Sequence, residues 1–351
     1  MNKFRILHTG DLHLDSPMIT LGKLASVRKQ ELLETFANII KIACEKNVDA
    51  VVIAGDLFDC ADVSSSTINF VSRKFKEISH IPVFIALGNH DAGFTSDFHD
   101  NVHIFPDYIE KISVGNADIY GVSFAQEYCS DCILEGFEVE NPAKINLLIC
   151  HSDIVQNGQG SRYNPVTVAT IANTNADYFA TAHTHKFSDM QKANNVSYAY
   201  CGCPEGRGFD EIGAKGVLIV DIMHNHCEFE FVKTNKRQYI ELNIDVSECE
   251  DYNQILTAVT NTAIGEENLY KINLKGETDI LINTPSLTQL LEEKYFFIKL
   301  NDFTKPNIDL AKLSAEYTLK GLFIKAILEE GGNDNAIKYG LAALNGNKVS
   351  L

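Results

Sequence analysis

Five times along this chain a short apolar run stops abruptly at side chains that bind metal ions. The runs at 4–7, 50–54, 83–87, 146–150 and 178–182 lead into Gly10-Asp11-Leu12-His13, Gly55-Asp56-Leu57-Phe58-Asp59, Gly88-Asn89-His90-Asp91, Cys150-His151-Ser152-Asp153 and Ala182-His183-Thr184-His185. Short apolar runs bounded by Gly, Pro, Asn or Asp read as buried strands. In open α/β sheets the crevice beyond the strand ends is where ligands bind. The pattern therefore confines the chain to folds in which several strands deliver Asp, His and Asn to one edge.

The rest of the first two thirds fits that frame. A further run at 119–124 reads as a strand. Leu24, Leu32, Phe36, Ile39, Ile40 and Ala43 share one face at helical spacing. Ser64-Ser65-Ser66 can cap a second helix that carries Ile68, Val71 and Phe75. Strands separated by helices imply α/β organisation. The runs at 197–201, 216–222 and 228–232 follow one another without helices and suggest an added antiparallel region. The expected core is thus α/β, with two packed mixed β-sheets flanked by helices. A polar stretch, Thr234-Asn235-Lys236-Arg237, marks the boundary. Residues 1–237 form the expected catalytic domain. Residues 238–351 alternate strand, helix, strand, helix, strand, then close with at least two helices near 309–330 and 335–344. They read as a smaller C-terminal α+β capping domain.

Charge limits the partners. The net charge is -17, from 30 basic and 47 acidic residues. After Arg237 there are 10 Lys and Arg against 17 Asp and Glu, which leaves 20 against 30 before it. Neither part has the basic excess of a stand-alone binder of nucleic-acid backbone. The same balance argues against an anionic membrane surface as partner. No apolar run approaches the roughly 20 residues of a membrane span. The first residues read as a strand rather than a signal peptide. Nine cysteines, mostly scattered singly, fit a reduced, cytoplasmic protein. Packed thiols, rather than a zinc shared by Cys129, Cys132, Cys201 and Cys203, are the expectation for them.

Carboxylate, imidazole and amide oxygen together suit a borderline divalent metal such as Mn, Fe or Zn. Without a thiolate among the donors, a structural zinc cage is not expected. Seven candidate donors exceed one ion's needs and suffice for two if a carboxylate bridges. Paired metals serve phosphoryl displacement by clamping the attacking and leaving oxygens.

The ordered series Asp-x-His, Gly-Asp-x-x-Asp, Gly-Asn-His-Asp, His and His-x-His resembles that of the calcineurin-like metallophosphoesterases. Within them the chain is similar to the SbcD-type DNA repair exonucleases, especially the YhaO-type bacterial branch. The branch likeness rests on the stretch from Phe4 to Pro17, on Gly55-Asp56-Leu57-Phe58-Asp59 and on Gly202-Cys203-Pro204-Glu205-Gly206-Arg207-Gly208-Phe209-Asp210-Glu211. The closing stretch from Ile337 to Leu344 is also similar in style. The resemblance covers nearly the whole chain.

It implies that Asp11, His13 and His185 hold one metal, that Asn89, His151 and His183 hold the other, and that Asp56 bridges them. Two divalent ions are implied, with manganese the expected one. His90 is implied as general acid or phosphate-positioning group. Arg162, Tyr163 and Arg207 are candidate substrate contacts, because a guanidinium suits phosphate. Ordinary loop salt bridges are the alternative for the arginines. The implied activity is a DNA exonuclease in repair, with endonuclease action also open. The implied partner is an SbcC-like coiled-coil ATPase, and a homodimer is open to the chain. The alternatives are a phosphodiesterase for small nucleotides or other phosphodiesters, and a non-catalytic scaffold. Two departures stand out. Ala182 occupies a position where the motif usually opens with Gly, and a methyl there could crowd a ligand. Asp59 is not followed by the Arg of phosphoprotein phosphatases.

Overall fold

The computed structural model describes residues 3–156, 159–307, 309–332, 334–344 and 346. Residues 157 and 158, in the Gly-rich loop after His151, lie outside the described residues. The chain divides into two compact units, Met1–Arg207 with Ala214–Lys236, and Gly208–Gly213 with Arg237–Leu351.

In the first unit, one six-stranded sheet runs in the order His226–Lys233, Gly216–Met223, Phe4–Thr9, Ala50–Ala54, Val83–Ala86, Val102–Ile104. Its last four strands are parallel. The first two join antiparallel. The other sheet runs Gln191–Ala193, Val196–Tyr200, Tyr178–Thr181, Ile145–Cys150, Ala117–Val122, Glu110–Val114. Its four middle strands are parallel and its two edges antiparallel.

Alternation along the strands explains the layering. Phe4, Ile6, Val52 and Phe84 point to one side and meet Ile119, Leu147, Tyr178 and Ala180 of the second sheet in a shared core. Leu7, Val51, Ile53, Val83 and Ile85 point to the other side. There they pack on Leu32, Phe36 and Ile39 of the helix Ala25–Glu45 and on Val71 and Phe75 of the helix Ser65–Glu77. Each such large side chain contributes about 1.5–3 kcal/mol on burial. Ser64 caps the second helix by accepting from the Thr67 N–H. Asp15 fastens the same turn, accepting from Ser64 N–H at 2.9 Å and Thr67 Oγ1 at 3.2 Å.

Two expectations change. The run at 197–201 is not part of the antiparallel addition. It lies parallel beside Tyr178–Thr181, because the connecting chain first turns through the edge strand Gln191–Ala193. The stretch 309–330 is two helices, Leu310–Ser314 and Leu319–Glu329, since Thr318 caps the second by accepting from Gly321 N–H.

The second unit has a three-stranded parallel sheet, Tyr239–Asp245, Leu269–Lys275, Phe297–Asp302. The helices Tyr252–Thr262 and Thr284–Glu292 connect these strands, and Ile255, Val259, Leu287 and Leu291 cover the apolar face of Ile244, Ile272 and Ile298. On the opposite face Asn243, Asn273 and Asn301 stand in register and are joined by side-chain amide hydrogen bonds. The buried Lys338 of the helix Asp334–Leu344 reaches Asp302 at 3.0 Å. Gly213 N–H donates to the Tyr239 carbonyl and Phe209 meets the Tyr239 and Phe297 rings, which ties Gly208–Gly213 to this unit.

Candidate metal centre

Phe4–Thr9, Ala50–Ala54 and Val83–Ala86 are parallel neighbours, so their C-terminal ends share one edge. Ile145–Cys150 and Tyr178–Thr181 do the same in the other sheet. Face-to-face packing brings the two edges together, and the five motif loops meet there.

The loops are held in conformations that L-residues rarely adopt. Asp11, His13, Asp56 and His183 have φ values of 48°, 45°, 51° and 117°. Such strain persists only where the surroundings enforce it, and it gathers at functional sites. The first two loops enforce it on each other. Asp11 N–H donates to Gly55 O, His13 N–H to Asp56 O, Leu14 N–H to Leu57 O, and Asp59 N–H back to Leu14 O, at 3.0–3.1 Å. Gly55 has φ 106°, and a Cβ on it would lie 2.2 Å from His151 Nδ1, so both conformation and space require glycine.

Within this frame the donor atoms converge. Asp11, His13 and His185 each bring one donor atom within 4.8 Å of the others; so do Asp11, Asp56 and His151, and His13, Asp56 and His90. His13 Nε2 and His185 Nε2 are 3.2 Å apart. Asp56 Oδ2 lies 3.7 Å from His13 Nε2 and 3.5 Å from His151 Nε2, between the two imidazoles. His151 Nε2 lies 3.1 Å from Asn89 Oδ1 and 3.3 Å from His183 Nδ1. Asp11 accepts the His183 backbone N–H with both oxygens. Imidazole nitrogens facing one another, with carboxylate and amide oxygens between them, have more lone pairs than protons to share. Divalent cations satisfy such a set, and the donors fit the pair of ions expected. Among the described residues, none of the three groups that could hold an ion includes a cysteine.

His90 differs from its neighbours. It is exposed, whereas Asp11, His13, Asp56 and His151 are buried. Its backbone N–H donates to Asp56 Oδ1 at 2.9 Å, and its Nδ1 lies 3.1 Å from the Asp59 carbonyl oxygen. A carbonyl only accepts, so Nδ1 carries the hydrogen and Nε2 is left with the lone pair in the neutral ring.

Burial lowers the basicity of the His13 and His183 imidazoles. Burial also pushes the Asp91 carboxyl up to about 7, with nearby Asp56 adding to the effect. Asp91 has a mechanical task that the motif alone does not disclose. Its two oxygens accept the N–H groups of Gly88 and Phe58 and so clip the third loop to the second.

Tyr163 lies with its ring 4.8 Å from that of His183, and Arg162 stacks its guanidinium 3.9 Å over the Tyr128 ring. Arg207 donates to Asp59 Oδ1 at 2.8 Å and approaches His185 Nδ1 at 3.4 Å. Its neighbour Glu205 turns away from the centre and accepts from Arg28, Thr35 and the Lys236 N–H. His8, close to the first motif in sequence, is a core residue paired with Tyr178 Oη at 2.9 Å; burial pushes its imidazole down to about 3. Asn164 escapes sequence reasoning altogether. Fully buried, it donates to the His151 carbonyl at 3.0 Å and fixes the fourth loop. Its φ is 49°, a left-handed value that Asn tolerates better than most residues.

Strands that deliver Asp, His and Asn to one packed edge define a metallophosphoesterase site. The Calcineurin-like phosphoesterase family matches residues 4–187, just over half of the chain, and the chain belongs to that family. It is similar to the metallophosphoesterase YhaO of Bacillus subtilis (strain 168), 27% identical over 272 residues that cover 73% of this chain and 66% of that protein. It is also similar to the DNA double-strand break repair protein Mre11 of Methanosarcina acetivorans, 27% identical over 312 residues, 83% of this chain and 49% of that one. A third relative is a subunit of the SbcCD nuclease of Staphylococcus saprophyticus, 22% identical over 292 residues, 71% of this chain and 76% of that one. The chain thus spans just under two thirds of the first of these relatives and about half of the second. Among the described residues, no helix is long and apolar enough to cross a membrane.

Proposed function

We propose that the protein is a two-metal phosphodiesterase that degrades DNA from its ends, with endonuclease action also open to it. The observation that carries this reading is the Asp56 carboxylate lying between His13 and His151, with Asp11 and His185 on one side and Asn89 and His183 on the other. Asp11, His13 and His185 would hold one divalent ion, Asn89, His151 and His183 the second, and Asp56 would bridge. Two such ions, manganese in our reading, would supply Lewis acidity toward a phosphoryl group and its attacking and leaving oxygens.

The chain's own residues do the rest. Asp11 and Asp56 fix neighbouring loops through backbone N–H groups. His90, anchored at Nδ1, can act as general acid only as the imidazolium, which would hand its Nε2 proton to a departing oxygen. Relatives named for DNA break repair and for a nuclease favour DNA over a small phosphodiester. An SbcC-like coiled-coil ATPase would be the partner. With a net charge of -17 the isolated chain should bind duplex weakly, and such a partner should raise that affinity, since affinity for duplex comes from cations that displace its counterions.

The test uses purified protein on labelled linear duplex, single-stranded DNA and bis(4-nitrophenyl) phosphate, with Mn²⁺ or with excess chelator. Metal-dependent shortening of DNA that weakens steeply with salt is expected. Hydrolysis of the small ester alone, under all salt conditions and with the ATPase added, overturns the DNA reading. Unchanged hydrolysis after verified metal removal overturns the metal reading.

A further inference from the structure

We propose that Arg207 is a positioning residue for one half of the metal centre rather than a contact for substrate, and that Asp59 is the link through which it acts. The inference rests on the metal-centre reading above. Arg207 Nη1 donates to Asp59 Oδ1 at 2.8 Å, and Nη2 lies 3.4 Å from His185 Nδ1. The same Asp59 oxygen stands 3.2 Å from His13 Nδ1. His13 and His185 in turn face each other through their Nε2 atoms. One guanidinium therefore spans the outer edges of both imidazoles of a single candidate ion site.

The chemistry follows from what a histidine ligand needs at its other nitrogen. A carboxylate acceptor there fixes the tautomer and the ring plane, and losing such a partner typically costs 10–100-fold in metal affinity. His13 Nδ1 is buried and has no aligned hydrogen bond, although the Asp59 carboxylate is within reach. The orientation of that ring thus depends on where Asp59 is held. Asp59 is one-fifth exposed and sits on a loop, and the charge-assisted bond from Arg207 is what pins it. At the other candidate site the outer nitrogen of His151 meets the Ala54 backbone carbonyl at 3.0 Å, an acceptor that needs no clamp. Arg207 therefore acts on one site and not on the other. Nη1 of its fork is committed to Asp59, which is a poor state for meeting phosphate. Nη2 can only donate and so cannot be the acceptor a ligating His185 needs at Nδ1; Arg207 acts through Asp59 on His13.

Calorimetric titration of the full chain with Mn²⁺, alongside steady-state hydrolysis of bis(4-nitrophenyl) phosphate, tests the proposal with Arg207→Met, Arg207→Lys and Asp59→Asn. In wild type two binding events are expected. In Arg207→Met one event weakens at least ten-fold while the other keeps its affinity, and the retained event reports that the variant is folded. Asp59→Asn weakens the same event, and Arg207→Lys recovers part of the loss. Two events at wild-type affinity together with a raised KM would make Arg207 a substrate contact and overturn the proposal. Equal weakening of both events would make it a general structural residue and overturn the proposal as well. A wild type that binds no Mn²⁺ sinks the metal-centre reading itself and this inference with it.

Discussion

A Cβ placed on Gly10 would stand 2.5 Å from the Cβ of Ala182. Gly10 leads into the first motif and Ala182 into the last, and the Ala182 methyl faces Gly10 across the two packed sheets. The methyl expected to crowd the His-x-His segment occupies space that Gly10 leaves open. Ala182 is fully buried, so the methyl is also packed.

Gly10→Ala should therefore destabilise the first unit by about 1–3 kcal/mol, the usual cost of overpacking. The backbone at Gly10 is not in the left-handed region, so the cost is steric. Adding Ala182→Gly should restore much of the loss, although Ala182→Gly alone destabilises. Denaturant unfolding of the two single variants and the double variant checks this. An additive double variant would show that the two positions do not compete for space.

Metal binding and turnover should separate by residue. Mn²⁺ should raise the thermal midpoint of the wild type, because a ligand bound only by the native state stabilises it. Asp56→Asn should lose most of that increase. His90→Asn should keep it while hydrolysis falls by about 10²–10⁴-fold, the usual contribution of general acid–base or positioning groups. Melting curves with and without Mn²⁺, paired with rates, check both variants. Loss of the Mn²⁺ effect in His90→Asn would make His90 a ligand.

The strand ends and their donors could be read from the sequence because buried parallel strands are continuous apolar runs, and polar ligands end them visibly. The pair Pro165–Thr167 and Asp153–Val155 could not, since three-residue strands with one apolar pairing carry no period. Asp59 was legible as a motif member but not as the neighbour of His13. That relation depends on the ladder between two loops more than 40 residues apart. Asn164 was hidden for the same reason, and Tyr163 was legible only as a candidate substrate contact: tertiary packing alone sets them beside His151 and His183.

The Gly-Cys-Pro-Glu-Gly-Arg stretch also carries a structural charge. Arg28, fully buried, donates to Glu31 at 2.5 Å and to Glu205 at 2.7 Å. Burial raises the Glu205 carboxyl above the ordinary range, against the pull of Arg28. Arg28→Met should cost about 3–5 kcal/mol, because it strands buried carboxylates without a partner. Glu205→Gln, which keeps the shape and removes one charge, should cost less. Thermal unfolding at neutral pH orders the two. A harmless Arg28→Met would refute the assignment.

An acid-sensitive contact joins two interior strands of the first sheet, Phe4–Thr9 and Gly216–Met223. Arg5 Nε and Nη2 reach Asp221 at 2.6 and 2.7 Å, and Lys3 reaches it at 2.9 Å. The Arg5 hydrogen bond holds the Asp221 carboxyl down at about 2. An unfolded aspartate titrates near 3.9. The folded value is the lower one, so the contact's contribution is complete above about pH 4 and is lost as pH falls toward 2. Asp221→Asn should lower stability by roughly 1 kcal/mol at pH 7, given the partial exposure of the pair. The gap from wild type should close on acidification below pH 4. A gap that stays constant from pH 7 to pH 3 would contradict this.

The rungs between the first two loops, from Asp11 to Gly55 and on to Leu14 and Leu57, make those loops one mechanical part. Neither can open, lengthen or shift register without dragging the other, and Asp91 clips the third to the same assembly. Their amides should exchange with solvent as a single cooperative block. For inheritance the consequence is sharper still. An insertion or deletion in one loop is tolerable only with a matching change in the other. The spacing within each motif is thus enforced by its neighbour as much as by any ion, and the centre can vary in sequence far more readily than in length.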